Sequence, residues 1–118
     1  MTESDPVPGR RVFRTRTEPF LAYDMEGPVQ EDMSWLPISY DEASGQGSYM
    51  MRMRPGAVTI AHEHAGMEEF LILEGDLVDS DGTVFGPGDF VSYEPGTHHN
   101  SWTEGGCVIA VFEWVPPG

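Results

Sequence analysis

The chain's 118 residues predict an all-β domain, a sandwich or a closed barrel. Three observations predict it. Short runs of β-branched and aromatic residues alternate with Gly, Pro, Asp and Ser. The chain has 14 Gly and 10 Pro, a composition suited to many tight turns. No stretch of helix length repeats its apolar residues with a 3.6-residue period. A chain this long forms one compact domain that buries roughly two-thirds of the surface its unfolded form exposes.

In chain order, residues 1–10 are polar and include Pro6 and Pro8, which predicts a flexible N-terminal segment ahead of a single domain at 11–118. Strands are expected at Arg11–Thr15, Phe20–Tyr23, Met33–Ile38, Ser48–Arg54 and Val58–His64, then at Glu69–Asp79, Thr83–Phe85, Asp89–Tyr93, His99–Thr103 and Cys107–Trp114. The Asp81-Gly82 pair predicts a hairpin turn, because a tight turn needs positive φ and glycine adopts it without a Cβ clash. No internal repeat is evident.

The formal charge of −14 repels phosphate backbones and anionic headgroups, so nucleic acid and membrane partners are not expected. Most of the acids read as a solvated surface. All six basic residues are Arg and the last is Arg54, which excludes Schiff-base chemistry from a lysine. Cys107 is the single cysteine, so no intramolecular disulfide can form. With no stretch resembling a signal peptide or a transmembrane span, a cytoplasmic location is expected.

Residues two apart in a strand share a face, so His62 and His64 form a pair suited to clamping a metal while Glu63 points away. A His-x-His pair alone is weak. Here Gly56 stands six positions before His62, Glu68 four after His64, and Gly75 seven after Glu68.

The stretch PGAVTIAHEHAGMEEFLILEG resembles the first motif of the cupin superfamily, and GDFVSYEPGTHH resembles the second. The resemblance implies an RmlC-like jelly-roll barrel and places the family's metal ligands on His62, His64, Glu68 and His99, with Glu68 in a possible tuning role. The second motif departs from the family pattern at Glu94, where a proline is usual, and at Thr103, where an asparagine is usual. Two neighbours compete with the assigned ligands. His98 adjoins His99, but the offset from Gly96 favours His99; Glu69 adjoins Glu68, but strand parity groups Glu68 with Phe70 and Ile72 on the inner face.

Three imidazoles and a carboxylate suit one divalent transition metal per chain: Fe for oxygenase activity, or Zn, Mn, Ni, Co or Cu. A six-coordinate ion would keep two open positions. Met51 and Met53 share a face with Tyr49 and read as core. Arg52 and Arg54 read as a solvated edge. Trp35, Trp102, Tyr93 and Trp114 are candidates for an apolar rim.

The segments MSWLPI and HEHAGMEEF resemble two branches of the superfamily: the cupin-like domain of ChrR anti-sigma factors, and small non-haem dioxygenases that cleave dihydroxyacetophenone or acetylacetone. The second implies a non-haem Fe(II) dioxygenase acting on a small enolisable ketone or dicarbonyl, with a metal-dependent isomerase or lyase as the nearest catalytic alternative. The first implies a regulatory module that binds metal or ligand; a ChrR-type regulator carries a separate helical sigma-binding domain, and the residues before Arg11 are too few to form one. A homodimer is expected, with Arg11 to Tyr23 covering a sheet edge of the neighbour.

Overall fold

The computed structural model describes residues 7–25, 28–59 and 65–117, and the backbone of 62–63. Eleven strands and no helix occur among them. They are β1 (Leu21–Tyr23), β2 (Gln30–Pro37), β3 (Gly47–Met53), β4 (His62–Glu63), β5 (Met67–Gly75) and β6 (Leu77–Asp79), followed by β7 (Val84–Phe85), β8 (Phe90–Tyr93), β9 (His98–His99), β10 (Ser101–Trp102) and β11 (Cys107–Trp114). A six-stranded sheet runs in the order β1-β2-β3-β11-β5-β8, a three-stranded sheet in the order β10-β6-β7, and β4 pairs with β9.

Alternation builds the core. Along β11, Cys107, Ile109 and Val111 are buried, and their antiparallel partners Met53, Met51 and Tyr49 on β3 face the same way. On the other flank of β11, Phe70 and Ile72 of β5 are 3% and 1% exposed, which carries the inward parity on to Glu68. Leu77 on β6 joins the same core. Arg52 lies on the outer face of β3, its guanidinium 4.3 Å from the centre of the Phe20 ring; both Arg52 and Arg54 are exposed.

The β6–β7 hairpin turns at Asp81-Gly82: the Asp79 N–H donates to Thr83 O at 2.9 Å, and Gly82 has φ +88°. Gly75 also has positive φ (+83°), and a Cβ there would strike the backbone of Gly106 and Cys107. This splits the expected strand Glu69–Asp79 into β5 and β6, which belong to different sheets.

Three other strand expectations need correction. Arg11–Thr15 is irregular rather than a strand; the Arg11 guanidinium donates to Ile38 O at 2.9 Å. As a strand it would set Val12 beside Arg14 on one face and Phe13 between Arg11 and Thr15 on the other, leaving neither face apolar enough to bury. Of Val58–His64, the described residues hold the short β4 and a bridge from Val58 to Trp102, residues 60, 61 and 64 lying outside the described residues, and His99–Thr103 divides into β9 and β10 around Asn100. Residues 7–10 are exposed, and 1–6 lie outside the described residues.

Candidate metal centre

Glu68 enters the interior from the start of β5, and His99 from the end of β9. The register pairs Glu68 with Tyr93 on β8 and with Glu113 on β11, and it makes His62 and His99 Cα partners across β4 and β9. His99 is 9% exposed and its Nε2 lies 3.6 Å from Glu68 Oε1. His98 is exposed, while the Glu69 carboxylate accepts from Ser92 Oγ at 2.8 Å and from Trp114 Nε1 at 2.9 Å, so both neighbours are turned away from the interior.

Of the expected ligands, Glu68 and His99 are thus brought together. His62 is placed opposite His99 by its backbone, its side chain lies outside the description, and His64 lies outside the described residues altogether. Among the described residues, no group of three or more His, Cys, Asp or Glu is disposed to hold a metal. Glu68 and His99 do fit one as a pair. Two ligands with bonds of about 2.1 Å at right or tetrahedral angles have donor atoms roughly 3.0–3.4 Å apart. The observed 3.6 Å is close to that spacing and longer than a good hydrogen bond.

The carboxylates around His99 set its electrostatics. Its pKa is raised from the ordinary 6.5, chiefly by Glu68, against the lowering effect of burial, with Asp79 adding to the rise. Tyr93 is pushed well above the usual phenol value, first by burial and then by its hydrogen bond to Asp79. Burial pushes the Cys107 thiol up to about 11, which leaves it protonated and poorly nucleophilic at neutral pH.

Asp79 is the residue that sequence reasoning missed. It belongs to neither motif, yet its Oδ1 lies 3.2 Å from His99 Nδ1 and its Oδ2 accepts from Tyr93 Oη at 2.7 Å. No sequence signal marked it: along the expected strand Glu69–Asp79, parity with Phe70 and Ile72 turns Asp79 outward, and the break at Gly75 sets it on the inner face with Leu77.

Glu68 and His99 border a cavity of about 50 Å³ whose other walls include Met51, Phe70 and Val111. A second cavity of about 80 Å³ shares Tyr23 and Tyr49 with it and adds Trp35, Tyr40 and Glu113. A water needs about 10–15 Å³ of such space, so the interior admits only a small molecule. Of the expected rim residues, Trp35 lines the second cavity, while Tyr93 lines neither and packs against the core on the His99 ring. Trp114 sits on the outer face and Trp102 is absent from both walls, because strand parity and the β6 pairing turn them elsewhere. A larger hollow, about 410 Å³, lies outside the sheet between Arg16 and Arg52 and contains none of these groups.

A family model of the ChrR cupin-like domain matches residues 11–115. The chain belongs to the ChrR cupin-like family. Its jelly-roll fold is shared with solved cupins. A cupin-like protein from Ralstonia eutropha is 20% identical with a TM-score of 0.75, covering 97% of this chain and 71% of that one. The polyketide cyclase RemF of Streptomyces resistomycificus is 24% identical with a TM-score of 0.67, covering 92% and 82%. The complex of SigE with the anti-sigma ChrR of Rhodobacter sphaeroides gives 20% identity and a TM-score of 0.58, covering 70% of this cupin and 45% of the matched chain. At these identities the likeness concerns the fold. No curated protein matches the chain. No helix among the described residues is long and apolar enough to cross a membrane.

Proposed function

We propose that this cupin is a metal-dependent enzyme in which His62, His64, Glu68 and His99 hold one divalent ion, and that it acts as a non-haem dioxygenase on a small enolisable ketone or dicarbonyl. The observation that carries the reading is the approach of His99 Nε2 to Glu68 Oε1, 3.6 Å apart on the wall of a small interior cavity. When bound, the ion supplies Lewis acidity toward a carbonyl oxygen and, if it is iron, redox chemistry toward dioxygen.

The chain's own residues do the rest. Glu68 and His99 hold the ion from two sides of the chamber. Tyr23, Tyr49 and Trp35 form an aromatic wall that suits the flat body of a conjugated carbonyl compound. Glu113, opposite Glu68 in the register and on the wall of the adjoining cavity, is placed to exchange a proton with a substrate reaching that far.

The test is oxygen uptake by iron-loaded protein with small β-dicarbonyls and aryl ketols, set beside zinc-loaded protein. Uptake with iron alone supports the dioxygenase. Conversion of substrate with both metals indicates an isomerase or lyase, since zinc polarises carbonyls but has no redox chemistry. The second reading is a regulatory module that binds metal or ligand, favoured by the ChrR family match and the likeness to the anti-sigma factor. No turnover across such a panel, with iron occupancy verified, supports it. In either role the protein acts in the cytoplasm as a homodimer.

A further inference from the structure

We infer that Asp79 is a positioning residue for the metal centre: it holds the His99 imidazole in the tautomer whose Nε2 lone pair faces Glu68. The inference rests on the metal reading above and concerns a residue outside both motifs.

The argument starts from what a carboxylate can do. At neutral pH it only accepts hydrogen bonds. Asp79 Oδ1 lies 3.2 Å from His99 Nδ1 and accepts from the Ser80 N–H at 2.8 Å, whereas Glu68 Oε1 stands 3.6 Å from Nε2, beyond a good hydrogen bond. The single proton of the neutral ring is therefore assigned to the closer contact, at Nδ1. A neutral imidazole protonated at Nδ1 is bare at Nε2. Nε2 is the nitrogen turned toward Glu68 Oε1. Without Asp79, the Glu68 carboxylate would draw the proton to Nε2 and block the nitrogen that a metal needs.

Three further features keep Asp79 and the ring in place. The second oxygen, Oδ2, accepts from Tyr93 Oη at 2.7 Å, so the carboxylate is held at both ends and is 14% exposed. The Tyr93 ring stacks on His99 with centroids 4.0 Å apart and 16° between planes, which opposes rotation of the imidazole. The backbone brings the two sides together: Asp79 is the Cα partner of Ser101, two residues after His99, in the β6–β10 pairing. A partner carboxylate that fixes a ligating histidine's tautomer and raises its basicity typically changes metal affinity by about 10–100-fold.

The experiment reads the tautomer directly, from the imidazole ¹⁵N shifts of His99 in the full chain after chelation, at a pH that leaves the ring neutral, alongside zinc titrations. Wild type is expected to carry Nδ1–H. Asp79→Leu, equal in shape but unable to accept, is expected to move the proton to Nε2 and weaken zinc binding about 10–100-fold. Asp79→Asn, whose amide oxygen can still accept from Nδ1, is expected to keep the wild-type tautomer and lose less affinity. Tyr93→Phe is expected to leave the tautomer unchanged.

An Nε2–H wild type overturns the inference, as does an Asp79→Leu protein that retains Nδ1–H and binds zinc normally. If Asp79→Leu does not fold, the wild-type shifts and the Asp79→Asn titration still decide. An Nδ1–H wild type that takes up no zinc overturns the metal reading and the positioning role with it. Nε2–H with normal zinc uptake overturns the positioning role alone.

Discussion

Tyr93 lies flat against His99 and donates its hydroxyl at 2.7 Å to the same Asp79 carboxylate that His99 contacts. Ring packing and polar satisfaction therefore meet in one side chain, and the two can be separated. Tyr93→Phe keeps the stack and removes one donor to a largely buried carboxylate, a loss of about 1–3 kcal/mol. Tyr93→Ala removes the stack as well and is expected to cost more. Urea unfolding of metal-free protein measures both; equal losses would mean that the hydroxyl carries the whole effect.

Metal stoichiometry tests the ligand set. One zinc or iron per chain is expected by elemental analysis of protein purified without chelators or a nickel column. His62→Ala or His99→Ala is expected to abolish stoichiometric binding, because neutral imidazoles supply most of the ligation. His98 is exposed, so His98→Ala is expected to bind as wild type does. The reverse pattern would shift the second motif by one residue.

The pH dependence follows from the raised pKa of His99, which Glu68 chiefly produces. A folded pKa above the unfolded value means that protonation stabilises the native state. That contribution is complete below the ordinary histidine pKa of 6.5 and is lost as pH rises through the higher folded value. Metal requires the neutral ring, so its affinity rises over the same interval. The melting temperature of metal-free protein is expected to fall as pH rises above the ordinary histidine pKa while zinc affinity increases. Parallel trends in the two measurements would contradict the assignment.

Two glycines of similar φ separate backbone conformation from steric contact. Gly82 has φ +88° and open space for 4 Å around the place a Cβ would take, whereas Gly75 has φ +83° and a Cβ there would overlap the Gly106 carbonyl. Gly82→Ala is expected to cost about 1–2 kcal/mol, the penalty for left-handed backbone. Gly75→Ala is expected to cost several times more, because the β5–β6 corner must move. Thermal denaturation decides, and similar shifts would show that the corner yields.

Self-association has a candidate face. Phe90 on the edge strand β8 and Phe112 on β11 stack on the outside of the large sheet, 6.0 Å between centroids, and are 57% and 36% exposed. Light scattering at micromolar concentration is expected to give a dimer mass, reduced to the monomer by Phe90→Asp with Phe112→Asp. Truncation before Phe20 is expected to weaken the dimer. A monomeric wild type would remove the homodimer from the proposal.

The residues by themselves determined the fold class, the inward parity of Glu68, Phe70 and Ile72, the full extent of β11, and the hairpin at Asp81-Gly82. Each follows from rules of short range: side chains alternate along a strand, and a tight turn needs a residue that tolerates positive φ. Arg11–Thr15 showed where such rules fail, since local β character does not form a strand without a partner edge and a face to bury. Tertiary structure alone decided that the chain breaks at Gly75, where the close approach of Gly106 sends β6 into another sheet. It also brought Asp79 to His99, 20 residues further along the chain, and set Glu113 opposite Glu68. Those pairings depend on sheet register, which is fixed by how the whole inner face packs and is not encoded in the spacing of any one motif.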